Sequence, residues 1–205
     1  MTGPDDQTAS TASAASAASA APADRQVVLS LGSNLGDRLG NLQLGVNQLA
    51  AAGLTCQAIS SVYETAPVGG PEQEDYLNAV LLAVTALPAR AVLASCAAAE
   101  AAAGRVRTVR FGPRTLDVDI ITVGGETSAD PELTLPHPRA HERAFVLAPW
   151  LELDPDAVLP GSGPAAQLLA AAGPAGVRRR PDLRLTLPGK AGPQAGRAEA
   201  DLPCR

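Results

Sequence analysis

"RFGPRTLDVDI" (110–120) sets Asp117 and Asp119 two residues apart in a run that otherwise reads as a buried β-strand, directly after a cluster of arginines. Residues two apart in a strand point to the same face, with their Cα atoms roughly 6.5–7 Å apart. Asp117 and Asp119 therefore converge, while Leu116, Val118 and Ile120 face the other way into a core. Like charges that close raise each other's pKa and cost free energy unless something positive stands between them. Arg105, Arg107, Arg110 and Arg114 fall just upstream, on a loop bounded by Gly and Pro. Taken alone, an Asp-x-Asp fits two arrangements: a solvated acid pair neutralised by those arginines, or a cradle for divalent cations about 3.5–4 Å apart. Hard carboxylate oxygens suit Mg²⁺, and arginine forks match phosphate oxygens in geometry and charge. Carboxylates for a metal with arginines for a polyphosphate make up the equipment of phosphoryl-type transfer. There is no GxxxxGK[ST] sequence, so a nucleotide would bind by another scheme.

Outward from this stretch, the chain alternates strand and helix signals. "RQVVLSLGSN" (25–34) reads as a strand ending in a Gly-Ser-Asn turn. A helix follows over 37–53, with Leu39, Leu42, Val46 and Leu49 at helical spacing, an N-cap at Asp37 and a stop at Gly53. Residues 54–65 and 76–86 look extended, and the Pro- and Gly-rich stretch between them is long for a hairpin turn. Pro88 opens an Ala-rich helix that ends at Gly104. The order β-α-β-β-α-β predicts an α+β fold, a ferredoxin-like βαββαβ sandwich with two helices on one face and a C-terminal extension. In that extension a short extended piece is expected at 133–135, a helix near 139–148 and a last short helix within 164–173.

The 205 residues allow one domain with tails. Residues 1–24 are mostly Ala, Ser and Thr and predict a disordered arm, 25–175 form the folded domain, and 176–205 return to Pro, Gly and charge and predict a fraying tail. The arm carries Asp5 and Asp6, its alanines are broken by serines, and no arginine occurs before Arg25, so neither a secretory signal nor a transit peptide is expected. No stretch approaches the roughly 20 apolar residues of a membrane span. Three scattered cysteines fit reduced thiols in a cytoplasmic protein. A net charge of -5 argues against a nucleic-acid coat, so the arginine cluster implies a local anionic partner.

Four blocks carry a family resemblance: "LSLGSNLGDR" (29–38), "YETAPVGGPEQEDYLNAV" (63–80), "GRVRTVRFGPRTLDVDI" (104–120) and "LTLPHPRAHERAFVLAPWLEL" (133–153). In this order they resemble 6-hydroxymethyl-7,8-dihydropterin pyrophosphokinase, an enzyme of folate biosynthesis. The resemblance implies transfer of pyrophosphate from ATP to the pterin hydroxymethyl oxygen, with release of AMP. It implies two Mg²⁺ ions on Asp117 and Asp119, and Arg105 and Arg114 as catalytic contacts to phosphate. Glu100, Arg105, Arg107, Arg110, Arg114, Ile120, His137 and Arg143 correspond to the ATP site. Asn78 corresponds to the reader of the pterin edge, flanked by Tyr76 and Phe145, with Thr65, Pro67, Val68 and Phe111 completing the slot. Tyr76 and Asn78 also share one strand face by alternation. Phe111 stands where some relatives carry Trp, Ala97 where a longer polar residue is common, and Pro138 where some members have a bulkier side chain. These departures bear on ATP affinity.

Two other classes use similar parts. A metal-dependent nucleotidyl transferase or cyclase needs the carboxylate pair but no pterin slot, so Tyr76, Asn78 and Phe145 discriminate against it. A nucleic-acid-binding module would present aromatics across its sheet, and this acidic chain has only one Trp, two Tyr and two Phe. The expected partners are thus ATP and the pterin, with no nucleic acid and no membrane, on a monomer.

Overall fold

The computed structural model describes residues 24–67, 71–105 and 112–189. In chain order the first half contains β1 (Arg25–Ser33), α1 (Arg38–Ala51), β2 (Thr55–Ile59), β3 (Val62–Thr65), β4 (Tyr76–Thr85) and α2 (Ala89–Ala102). The second half contains β5 (Asp117–Val123), β6 (Ser128–Asp130), β7 (Leu133–Leu135), α3 (Ala144–Leu153), β8 (Val158–Leu159), β9 (Gly163–Pro164), α4 (Ala165–Ala172) and β10 (Arg178–Arg180). A 3₁₀ turn at Ala140–Glu142 precedes α3.

Six strands form one antiparallel sheet in the order β10-β3-β4-β1-β5, with β2 also paired to β4. β1 lies between β4 and β5, and its residues from Val27 to Ser33 are buried because helices cover both faces. α1 and α2 lie on one face, where Leu42, Val46, Leu49, Val92 and Cys96 pack against Leu29, Leu31, Val118 and Ile120. The other face is covered by α3 and α4, whose Val146, Leu147, Trp150 and Ala165 meet Val28, Val80, Leu82 and Ile121. The two helices of the βαββαβ order share one face as expected, and the helices of the C-terminal extension form a second layer on the other face, a placement the sequence reading did not give. Its cause is visible in "AFVLAPWLEL", which is apolar nearly all round and must be enclosed rather than half exposed.

Three further differences have local causes. The extended stretch 54–65 is two strands, broken at Ser60, whose Oγ accepts the Val80 N–H (2.9 Å) and so stands in for a ladder bond at the break. The helix expected near 139–148 begins later, at Ala144, after the 3₁₀ turn. The tail expected to fray from 176 is ordered through 189. β10 joins the edge of β3, and Leu183, Leu185 and Leu187 pack on the α1 face of the core. The side chain of Gln43 on α1 exchanges two hydrogen bonds with the backbone of Thr186 (2.9 and 2.8 Å).

β5 carries the site, and its alternation divides two environments. Val118 and Ile120 are 6 % and 5 % exposed and point into the core beneath α1 and α2. Asp117 and Asp119 point to the opposite side. Pairing with β1 then slips by one residue, since Val28 faces Thr122 and Leu29 faces Ile120. Ile121 is the extra residue of this bulge and turns fully into the α3 core. The bulge therefore separates an acidic end of the strand, open to solvent, from a buried end formed by Ile121 and Thr122 on the same face.

Gly45 sets how closely α1 approaches that strand. A Cβ on Gly45 would lie 3.0 Å from Leu116 Cδ2 and 3.1 Å from Leu31 Cδ2, the side chains packed directly behind Asp117 and Gly32. Gly45→Val is expected to lower stability by about 1–3 kcal/mol through overpacking, more than any gain in helix propensity offsets. Denaturant unfolding monitored by circular dichroism checks this; a stability equal to or above that of the parent chain would refute it.

Candidate active site

A row of residues crosses three strands at one end of the sheet. The pairing registers set Asn78 of β4 opposite Gly32 of β1, and Gly32 opposite Asp117 of β5; Ser30 lies opposite Asp119. A Cβ on Gly32 would stand 3.3 Å from Asn78 Oδ1 and 3.6 Å from Tyr76 Cδ1, so glycine keeps the floor low between the amide and the acids. Above this floor opens a cleft of about 510 Å³, within the ordinary size range of small-molecule sites.

Cations surround the acid pair. Arg105 Nη1 lies 2.7 Å from Asp117 Oδ1, and Arg114 Nη1 lies 2.5 Å from Asp117 Oδ2. Arg143 Nη1 lies 2.7 Å from Asp119 Oδ2, and His137 Nε2 lies 3.8 Å from the same oxygen. Burial pushes the His137 imidazole down, against the upward pull of Asp119, so it is neutral at pH 7. Its Nδ1 accepts the Arg139 N–H (3.1 Å), which leaves the proton on Nε2, facing Asp119. For Arg114, burial lowers the pKa, but Asp117 more than restores it. The aspartate side chains remain 23 % and 34 % exposed toward the cleft.

The outer edge of β5 is closed by the same groups. Glu100 on α2 is buried, pairs with Arg105 and accepts the Val118 N–H at 3.0 Å. The His137 N–H donates to the Ile121 carbonyl (2.9 Å). Thus the unpaired backbone of an edge strand is satisfied by residues that also fix Arg105 and His137 beside the acids.

The opposite wall is apolar and amide-bearing. Asn78, 4 % exposed, donates from Nδ2 to Thr65 Oγ1 (2.9 Å), which fixes the orientation of its amide. Tyr76 and Pro67 line the same side. Arg143 and Phe145 enter from the start of α3, the guanidinium carbon 5.6 Å from the ring centroid. The helix N-terminus adds positive potential at this point.

Of the residues singled out from sequence, Thr65, Pro67, Tyr76, Asn78, Arg114, Asp117, Asp119, Arg143 and Phe145 line this one cleft. Arg105 and His137 stand beside its acids, and Glu100 stands behind Arg105. The Ile120 side chain is not brought to the cleft, because strand alternation turns it into the core. Val68, Arg107, Arg110 and Phe111 lie outside the described residues. Sequence reading missed Ser30, Gly32, Gln73 and the segment 175–177, all of which line the cleft. The signal for Ser30 and Gly32 was present: they are small residues two apart in an otherwise apolar strand.

Asn34 was also missed as an organiser. Its Oδ1 accepts the Arg114 N–H (2.8 Å), and its Nδ2 donates to Gln73 Oε1 (2.9 Å) and the Glu74 carbonyl (3.1 Å). One buried amide thus ties the β1–α1 turn to both loops that flank the cleft.

Among the described residues no three His, Cys, Asp or Glu side chains gather as a metal set. Two neighbouring carboxylates open to a cleft nevertheless fit Mg²⁺, which commonly takes one or two protein carboxylates and completes its shell with water and substrate phosphate. Paired acids ringed by arginines, facing a wall with a fixed amide and two aromatic rings, are the parts of a phosphoryl-type transferase. A model of the family described as 7,8-dihydro-6-hydroxymethylpterin-pyrophosphokinase matches residues 28–155, and the chain belongs to that family. The 2-amino-4-hydroxy-6-hydroxymethyldihydropteridine pyrophosphokinase of Mycobacterium tuberculosis is 48 % identical over 164 residues, covering 73 % of this chain and 85 % of that protein. The protein of the same name from Methylorubrum extorquens is 41 % identical over 152 residues, covering 74 % of this chain and 96 % of its own length. Among solved structures, wild-type Plasmodium falciparum HPPK-DHPS with pterin and p-hydroxybenzoate aligns with a TM-score of 0.53 at 13 % identity. The alignment covers 75 % of this chain and 42 % of that longer one, and shows a shared fold.

Asn34→Ala is expected to cost about 1–3 kcal/mol by leaving a part-buried N–H without its acceptor. It should also speed amide hydrogen exchange at Arg114. Unchanged exchange at that amide would show that the clamp does not hold the loop.

Proposed function

We propose that this cleft transfers pyrophosphate from ATP to the hydroxymethyl oxygen of 6-hydroxymethyl-7,8-dihydropterin, releasing AMP, with Asp117 and Asp119 as its metal-binding pair. The observation that carries the reading is the meeting of two demands in one cavity: a carboxylate pair with arginines on one side, and Asn78 with two aromatic rings on the other. A polyphosphate requires the first and a flat, hydrogen-bonding heterocycle the second. A nucleotidyl transferase or cyclase has no use for the second.

In this reading Thr65, Pro67, Val68, Tyr76, Asn78, Phe111 and Phe145 hold the pterin. Asn78 meets its polar edge, with the amide orientation already set by Thr65. Glu100, Arg105, Arg107, Arg110, Arg114, Ile120, His137 and Arg143 form the ATP side, with Ile120 limited to its backbone. Two Mg²⁺ ions on Asp117 and Asp119 would supply neutralisation of phosphate charge when bound. Arg105, Arg114 and Arg143 now rest on the carboxylates, and their guanidinium groups need only turn within the cleft to meet phosphate oxygens. The pterin oxygen then attacks the β-phosphorus in line. A new O–P bond forms, the bond from that phosphorus to the AMP oxygen breaks, and the hydroxyl proton passes to solvent. Placement of the two substrates supplies most of the acceleration that the chain itself contributes.

The sheet order and the paired helices α1 and α2 support a ferredoxin-like description of the core. The same proposal includes a catalytic domain over 25–175, an arm over 1–24, a tail from 176 whose first part joins the sheet, a monomeric state and a cytoplasmic location. Among the described residues no helix is long and apolar enough to cross a membrane.

Incubating the full chain with the pterin, ATP and Mg²⁺ is expected to yield AMP that depends on the pterin, without ADP. Cyclic AMP or released pyrophosphate would refute the assignment in favour of the rival chemistry. Asp117→Ala and Asp119→Ala should each reduce transfer by at least about a thousandfold, since several kcal/mol of charge stabilisation is lost. Both variants should keep a wild-type circular dichroism spectrum, because each deletion also relieves like-charge repulsion. Unfolding of both would identify the pair as structural.

A further inference from the structure

The segment after α4 lies beyond the family match at 28–155, yet Ala175, Gly176 and Val177 line the cleft. β10 pairs with β3 in the register Arg178 to Glu64 and Arg180 to Val62. Carried one and two steps further, that register sets Val177 beside Thr65 and Gly176 beside Ala66. The strap therefore runs along the stretch that forms the pterin side of the cleft. What holds it there is electrostatic. Alternation divides the Arg178–Arg180 triplet, turning Arg178 and Arg180 to the α1 face and Arg179 to the other, where it meets Ser61 and Glu152.

On the α1 face Arg178 and Arg180 converge with Arg38 of α1 on one buried carboxylate. Glu64 is 7 % exposed; its Oε2 takes Arg178 and also Arg180 at 2.9 Å, and its Oε1 takes Arg38 of α1 at 3.3 Å. The same Arg38 nitrogen donates to the Asp75 carbonyl at 2.6 Å, immediately before Tyr76. Burial alone would raise the Glu64 pKa, but the hydrogen bonds from Arg180 and Arg178 hold it below the usual carboxylate range. Glu64 is therefore charged at neutral pH, and through its arginines one carboxylate links the strap to α1 and to the carbonyl that precedes β4.

We propose that Glu64, acting from behind the sheet, is a positioning residue for the pterin slot: it clamps Arg178 and Arg180 so that residues 175–177 stand as a wall beside Thr65. The proposal rests on the reading of the cleft given above. It assigns the strap to pterin affinity alone, because the acids and arginines of the ATP side are held by different partners, Glu100 and Asn34.

The test is steady-state kinetics on the full chain, with pterin and ATP varied independently. Glu64→Gln is expected to raise the KM for the pterin about tenfold, as loss of a fixed binding geometry does, while kcat and the KM for ATP stay within about twofold. Glu64→Asp, which keeps the charge, should recover much of the pterin affinity. A pterin KM equal to that of wild type, despite a lower unfolding midpoint, would show that Glu64 merely stabilises the fold. An equal rise in both KM values would also overturn the assignment. If Glu64→Gln does not fold, Arg180→Gln decides in its place, with a smaller rise in the pterin KM expected and no rise refuting the proposal. A wild-type chain without pterin-dependent AMP sinks the reading of the cleft and this proposal with it. An active wild type with unshifted variants sinks the proposal alone.

Discussion

Two carboxylates held on one face of one strand repel each other, and much of the surrounding structure answers that constraint. Asp117 engages a guanidinium at each oxygen, and Asp119 has one guanidinium and a neutral imidazole nearby. The three cations come from the end of α2, the loop before β5 and the start of α3, and the imidazole from the turn after β7. Each supporting element must be correctly docked before the acids are neutralised. The fold and the charge balance of the site are thus coupled, and a polyphosphate with its cations can exploit that coupling by presenting both signs of charge at once.

The sheet's edges follow a similar logic. At β5 the exposed backbone is met by Glu100 and by the His137 amide; at β3 it is met by β10. An edge left open would invite pairing with another chain. Here each cover also carries a residue that borders the cleft or fixes one that does. Edge protection and site construction are therefore performed by the same groups.

Much of this was legible in advance, and the reason is range. The first strand, α1, α2 and the acidic strand announce themselves through local periodicity, caps and breakers; the observed bounds of the first three differ from the reading by only a residue or two, and the acidic strand runs three residues past Ile120. The acid pair was legible because alternation makes Asp117 and Asp119 neighbours whatever the rest of the chain does. The helices of the second layer were expected but not placed, because periodicity in "AFVLAPWLEL" reports burial without saying against what. The strap was missed because Pro and Gly around it masked two period-2 signals: the arginine triplet, whose members face alternate sides, and Leu183, Leu185 and Leu187 in turn. Ile120 shows the converse, since a residue adjacent in sequence to a site acid is carried by alternation away from the site.

By itself, then, the sequence determined the elements and the chemistry of the acidic strand, because both depend on spacings of two to four residues. Its four motif blocks also carried the family. Only the tertiary structure decided which arginine meets which carboxylate, that Gly32 and Asn78 complete the row begun by Asp117, and that Glu64 binds a strap from more than a hundred residues away. Those pairings depend on strand register and on the order of strands in the sheet. Register and order emerge only when the whole apolar core is buried at once, and no local spacing encodes them.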